Sequence, residues 1–211
     1  EVLLRTCVEQ KGRLVIPAFS LGRTQEVVYA LNNLQNAGKL PPIKVFVDSP
    51  LSVNATTIMR SHPECFNEEI LANMRQDPDP FGFANLSYIQ RVEDSIRLNG
   101  MKEPAIIISA SGMAEAGRVR HHLKNNIGEP KNLILFIGYC AEGTLGSAIL
   151  AGKNPVNIFG QGNVSKAAND YITGNKWGIS DVNQDFAEAL FTGKLAEGWA
   201  GAINAAAGAT Y

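Results

Sequence analysis

Histidine and cysteine are scarce in this sequence, and the scarcity sets the first limits. The 211 residues hold three histidines, His62, His121 and His122, and three cysteines, Cys7, Cys65 and Cys140. No H-x-H or H-E-x-x-H occurs, so the spacing that brings imidazoles onto one catalytic metal is missing. His121 and His122 form the closest pair, and neighbours on a helix point about 100° apart. That suits one buried and one exposed ring better than two ligands to one ion. The cysteines are odd in number and form no C-x-x-C, which argues against a disulfide scaffold or a four-cysteine zinc site. A reducing, cytoplasmic location is the expectation. Apolar runs such as Ala105–Ile108 and Leu133–Ile137 are far too short to cross a bilayer. The opening Glu1-Val2-Leu3-Leu4-Arg5 lacks the basic start and apolar stretch of a signal peptide, so no membrane partner is expected. Excess charge is absent too: 19 Lys and Arg stand against 20 Asp and Glu. A strongly basic nucleic-acid binder is thereby excluded as a description of the whole chain, though a local basic patch is not.

What is present is ordinary globular matter, 45% hydrophobic, enough for one core. Arg13–Ile16, Ile43–Val47, Leu86–Ile89, Ala105–Ile108, Leu133–Ile137 and Val156–Phe159 read as strands. Helical patterns cover Thr24–Ala37, Ser49–Ser61, Glu68–Arg75, Arg91–Leu98, Arg118–Asn126 and Thr144–Leu150. Continuous apolar strands separated by helices predict an α/β fold: a Rossmann-like open parallel sheet with helices on both faces, over residues 1–160. Ligands of such sheets bind outside the carboxyl ends of the strands. That rule selects the loops Ala18–Arg23, Asp48–Pro50, Ser109–Met113 and Gly138–Thr144. After Gly160 the chain turns rich in Gly, Ala and Asn. Residues 161–211 read as a small helical tail, with Val182, Phe186 and Leu190 on one face, separable from the sheet.

Few residues here carry obvious chemistry. Ser111 lies in Ser-Ala-Ser-Gly-Met after a strand but fits no G-x-S-x-G elbow, so a turn of small residues explains it better. Cys140 has no clear His and acid partner in sequence and reads as a small buried residue. Asp48 reads as a cap on the turn into the Ser49-Pro50 helix. Arg118, Arg120, His121, His122, Lys124 and Lys131 make a local basic region just after the Ser109–Met113 loop. Arginines and backbone amides at helix starts are frequent phosphate contacts.

Pro17–Glu26, Ser109–Met113 with Gly117–Val119 and His121–Lys124, Gly138–Gly146 and Val156–Gly160 together resemble the β-CASP domain of metallo-β-lactamase RNA nucleases. The group in question holds the mRNA 3′-end processing endonucleases and their prokaryotic relatives. Order and spacing fit from about residue 1 to 160. The resemblance implies a cap inserted into a metallo-β-lactamase domain, with RNA entering the cleft between them. It also implies zinc in the full-length enzyme, held by H-x-H-x-D-H, F-S-A-H-x-D and V-H-G segments of the lactamase half. None of these segments occurs here. No catalytic or metal-ligating residue carries over, therefore, and no cofactor is expected in this chain. The cap side of the cleft does carry over, as RNA contacts: Ser20, Arg23, Ser111, Gly112 and Arg118.

Three readings follow. The leading one is an RNA-binding cap, inactive alone, whose partners are RNA and a lactamase half of the full-length protein or of another chain. A second makes the chain part of a larger or two-chain nucleic-acid hydrolase. A third is a non-enzymatic protein-interaction module on the same fold, with homo-oligomerisation open.

Overall fold

The computed structural model describes residues 2–159 and the backbone of 188–198 and 201–210. Five strands form one all-parallel sheet: β1 (Arg13–Pro17), β2 (Lys44–Asp48), β3 (Leu86–Ile89), β4 (Ala105–Ser109) and β5 (Leu133–Ile134). Their order is β3-β2-β4-β1-β5, with β4 central between β2 and β1. Every residue of β4 is buried, which is why Ala105–Ile108 is a continuous apolar run instead of alternating.

Successive side chains leave a strand on opposite faces, and two cores result. Leu14, Ile16, Val45, Val47, Ile106 and Ile108 face one core, shared with Leu4 and Cys7 of α1 (Val2–Glu9) and Val28 and Leu31 of α2 (Arg23–Asn36). Val15 faces the other, with Val119 and Leu123 of α6 (Val119–Asn126), flanked by Leu145 and Ile149 of α7 (Leu145–Leu150). Each fully buried aliphatic side chain contributes about 1.5–3 kcal/mol, so the covered faces dominate stability. Helices α3 (Pro50–Ser61), α4 (Glu68–Asn73) and α5 (Val92–Gly100) complete this unit. The Ser49 hydroxyl caps α3 by accepting from the Ser52 amide at 3.2 Å, and Pro50 fills the first helical position, as the sequence predicts.

Departures from the sequence reading are local. Helix α1 was not assigned from the sequence. Strand pairing ends at Ile134, followed by a hydrogen bond from the Leu135 N–H to the Val15 carbonyl at 2.9 Å. Val156–Phe159 is not a strand: Ile158 is buried against α6, and its carbonyl accepts from Arg120 Nε at 2.6 Å instead of from a neighbouring strand. The tail also differs. β6 (Glu188–Gly198) and β7 (Gly201–Thr210) form a two-stranded antiparallel sheet where a helix was expected, within a separate unit, Asn175–Tyr211. Gly193, Gly198, Gly201 and Gly208 fall in these strands, and each would cost a helix interior about 1 kcal/mol. The rest of the predicted helical tail, and the boundary at residue 160, lie outside the described residues. No helix among the described residues is long and apolar enough to cross a membrane.

Candidate nucleic-acid interface at the carboxyl end of the sheet

All four loops selected from sequence meet, the last of them through Cys140, whose thiol donates to the Gly112 carbonyl at 3.9 Å. Ser20, after β1, places its hydroxyl 3.4 Å from that of Ser49, after β2. Gln25 ties the first of these loops to the helix that follows the second: its amide donates to the carbonyls of Ser20 (3.2 Å) and Ser52 (3.3 Å) and to the Thr56 hydroxyl (2.9 Å). Gly112, after β4, lies so close to Phe19 that a Cβ would stand 2.8 Å from the ring. The loop after β4 then folds onto itself. Ser111 donates its amide to the Ala116 carbonyl (3.1 Å), and its hydroxyl accepts from the Ala116 amide (3.3 Å). Gly117 closes that turn at φ +81°, where a Cβ would meet the Ala110 carbonyl at 2.5 Å, so only glycine fits.

Behind these loops lies a buried ionic network centred on Asp48, the last residue of β2. Its carboxylate accepts from Arg118 at 2.7 Å, from His122 Nε2 at 2.6 Å and from the Ser95 hydroxyl at 2.5 Å. Its carbonyl accepts from the Ser109 hydroxyl at 2.7 Å. Arg118 reaches on to the Gln90 carbonyl at 2.7 Å. One residue thereby ties together β2, β4, the end of β3, α5 and α6. Burial by itself pushes the Asp48 carboxyl up, but His122, Ser95 and Arg118 outweigh it and hold the carboxyl below its ordinary value. His122 faces the carboxylate through Nε2, which assigns the proton to that nitrogen.

From sequence Asp48 reads as a turn cap; in the structure it is the centre of this network instead. The available signal was an acidic residue closing a buried strand, together with Arg118 and His122 four apart on one helical face. Of the adjacent histidines, His122 is buried and His121 exposed, as helical geometry requires. Arg118 and Ser95 share the Asp48 carboxylate with His122, so the pair is embedded in a hydrogen-bonded network. Among the described residues no group of three or more His, Cys, Asp or Glu is placed to hold an ion.

Ser20, Ser111 and Gly112 therefore lie in touching loops. Arg23, also on this end, is exposed and pairs with Glu26 at 2.6 Å. Arg118 is turned inward, its side chain 18% exposed. Large apolar side chains stand out at the same end: Phe19, Leu21, Leu51 and Tyr139, the last 77% exposed. Cys140 is half-buried and burial pushes its thiol up, which disfavours the thiolate a nucleophile needs.

The Beta-Casp domain family matches residues 24–149, which include Asp48, Arg118 and His122. The chain belongs to the β-CASP family. This β-CASP domain is 34% identical to Ribonuclease TTHA0252 of Thermus thermophilus over 161 residues, 76% of the chain and 37% of that protein. It is 35% identical to an RNase J-like protein of Methanocaldococcus jannaschii over 152 residues, 72% of the chain and 34% of that protein. Against Endoribonuclease YSH1 of Saccharomyces cerevisiae the identity is 30% over 153 residues, 70% of the chain and 19% of that protein. The β-CASP domain thus spans little more than a third of these relatives at most. It is a domain type found in ribonucleases of the metallo-β-lactamase family, as its sequence motifs imply.

Proposed function

We propose that this β-CASP domain is the RNA-binding cap of a zinc-dependent ribonuclease, and that the chain alone cleaves no RNA. Zinc ligands and hydrolysis come from a metallo-β-lactamase portion of a longer protein or of a second chain. The observation that carries the reading is the convergence of the β1, β2 and β4 loops at the carboxyl end of the sheet, where Ser20, Ser111 and Gly112 lie beside exposed Arg23. Hydroxyls, loop amides and an arginine suit phosphate oxygens. Phe19 and Tyr139 offer ring faces for bases, and Leu21 and Leu51 offer apolar surface for the lactamase portion. Arg118 supports this face from behind through Asp48, and a phosphate contact of its own would compete with that pair.

The test is titration of the chain with labelled single-stranded RNA over a range of salt, alongside zinc analysis and a cleavage assay. Arg23→Ala is expected to lower the salt slope by about 0.7 if it neutralises one phosphate. Unchanged curves would remove Arg23 from the interface. Near-stoichiometric zinc with chelator-sensitive cleavage would overturn the reading of an inactive cap.

A further inference from the structure

We infer that the opposite, amino end of the sheet carries a second anion site, which takes phosphate groups of single-stranded RNA. The inference rests on the RNA-binding reading above but on different residues. Strands β4, β1 and β5 are neighbours, and each is entered through a loop that carries one lysine: Lys102, Lys11 and Lys131 respectively. Adjacent strands stand about 4.8 Å apart, so the three loops fall within about 10 Å of one another. Gly12 makes the approach possible: a Cβ there would lie 1.8 Å from the Lys131 carbonyl, so the turn into β1 rests directly on the loop into β5. A cavity of about 480 Å³ opens among these loops, lined by the three lysines and Arg13.

The cations lining this cavity are poorly compensated. Arg13 is half-buried, and its guanidinium donates at 3.4 Å to the Asn99 carbonyl and to Asn126 Oδ1, both uncharged. Among the described residues no carboxylate pairs with Arg13, Lys11, Lys102 or Lys131, and Glu129 is the one carboxylate in the lining. Burial pushes the Arg13 guanidinium down, the sign of a cation lacking a counter-charge. Helices α1, α5 and α6 end at this pole, and their carbonyl termini attract cations. Each terminus carries only about half a negative charge. Within the lining, three such ends and Glu129 leave the four cations under-balanced; of the neighbouring carboxylates, Glu103 is taken by Lys44 at 2.6 Å and Glu9 closes α1 outside the lining. A phosphodiester backbone supplies the missing charge, and lysines on separate loops can meet successive phosphates without reading sequence.

The experiment uses the whole chain and its Lys11→Gln/Lys102→Gln/Lys131→Gln variant, with a fluorescein-labelled oligouridylate as probe. Affinity is followed against salt, photocrosslinked peptides are mapped, and melting is measured. The triple variant should lose about 2 from the salt slope, on the basis of about 0.7 per phosphate contact on a single strand. Crosslinks to the loops holding Lys102 and Lys131 should vanish while those around Ser20 and Ser111 persist. Crosslinks confined to the carboxyl-end loops, with an unchanged slope, would overturn this site and leave the first reading standing. A lowered melting temperature with an unchanged slope would assign the lysines to the helix ends and overturn it as well. An unsubstituted chain that binds no RNA at all would overturn both readings.

Discussion

At the carboxyl end of the sheet the buried charge of Asp48 meets Arg118, His122 and Ser95, whereas at the amino end Arg13 meets only a carbonyl and an amide oxygen. Both ends gather polar groups from several elements across strand ends. The difference lies in what those groups have left to offer. Asp48 is satisfied within the chain, so its network fixes geometry and presents other residues. The cations around Arg13 keep unspent charge, which a ligand can use. Ionic residues at the ends of a parallel sheet thus serve two purposes, and the presence or absence of an internal counter-charge tells them apart.

The hardest blow to this comparison would come from Asp48→Ala. Removing one partner of a buried ion pair strands the other, and we expect a loss of about 3–5 kcal/mol in urea unfolding. Loss below 1 kcal/mol would mean that the network is dispensable. The same carboxyl shapes the acid response. Because its folded pKa lies below the unfolded value, its contribution is present above the ordinary carboxylate range and disappears as pH falls through the folded value. Asp48→Asn should therefore flatten the acid side of the melting temperature against pH profile, and a superimposable profile would remove Asp48 from the acid response.

Gly117→Ala comes next, at about 1–3 kcal/mol, since the added Cβ meets the Ala110 carbonyl in a left-handed backbone. Arg13→Ala should cost only about 1 kcal/mol, because it strands no carboxylate. A cost equal to that of Asp48→Ala would erase the contrast between the two ends. The smallest effect on stability belongs to Arg23→Ala, within about 0.5 kcal/mol for an exposed pair, and calorimetry beside the RNA titration would separate binding from folding.

How far the sequence alone could reach differs from element to element. The run Ala105–Ile108 announces a buried strand because both of its faces must be covered, and Ser49-Pro50 announces a helix start through its own chemistry. Helix α1 is harder to see, since eight residues hold barely two turns and its buried Leu4 and Cys7 acquire meaning only against β1. The glycines that separate the tail from a helix were visible, yet pairing between residues 188–198 and 201–210 is decided by register, which composition does not encode.

The candidate site divides along the same line. The loops around Ser20 and Ser111 were legible because parallel topology sends every strand's carboxyl end to one side and the motif residues sit there in sequence. That Arg118 turns inward to Asp48 while Arg23 faces solvent was not legible: both are arginines near a helix start, and only the side-chain environment separates them. The sequence by itself determined the layered parallel sheet, the family and the end of the sheet that bears the motifs, since these follow from local periodicity and short-range spacing. The tertiary structure alone decided which charges are neutralised within the chain and which remain open. Asp48 and Arg118 lie 70 residues apart, and the loops bearing Lys11 and Lys131 meet only because β1 and β5 are neighbours in the sheet.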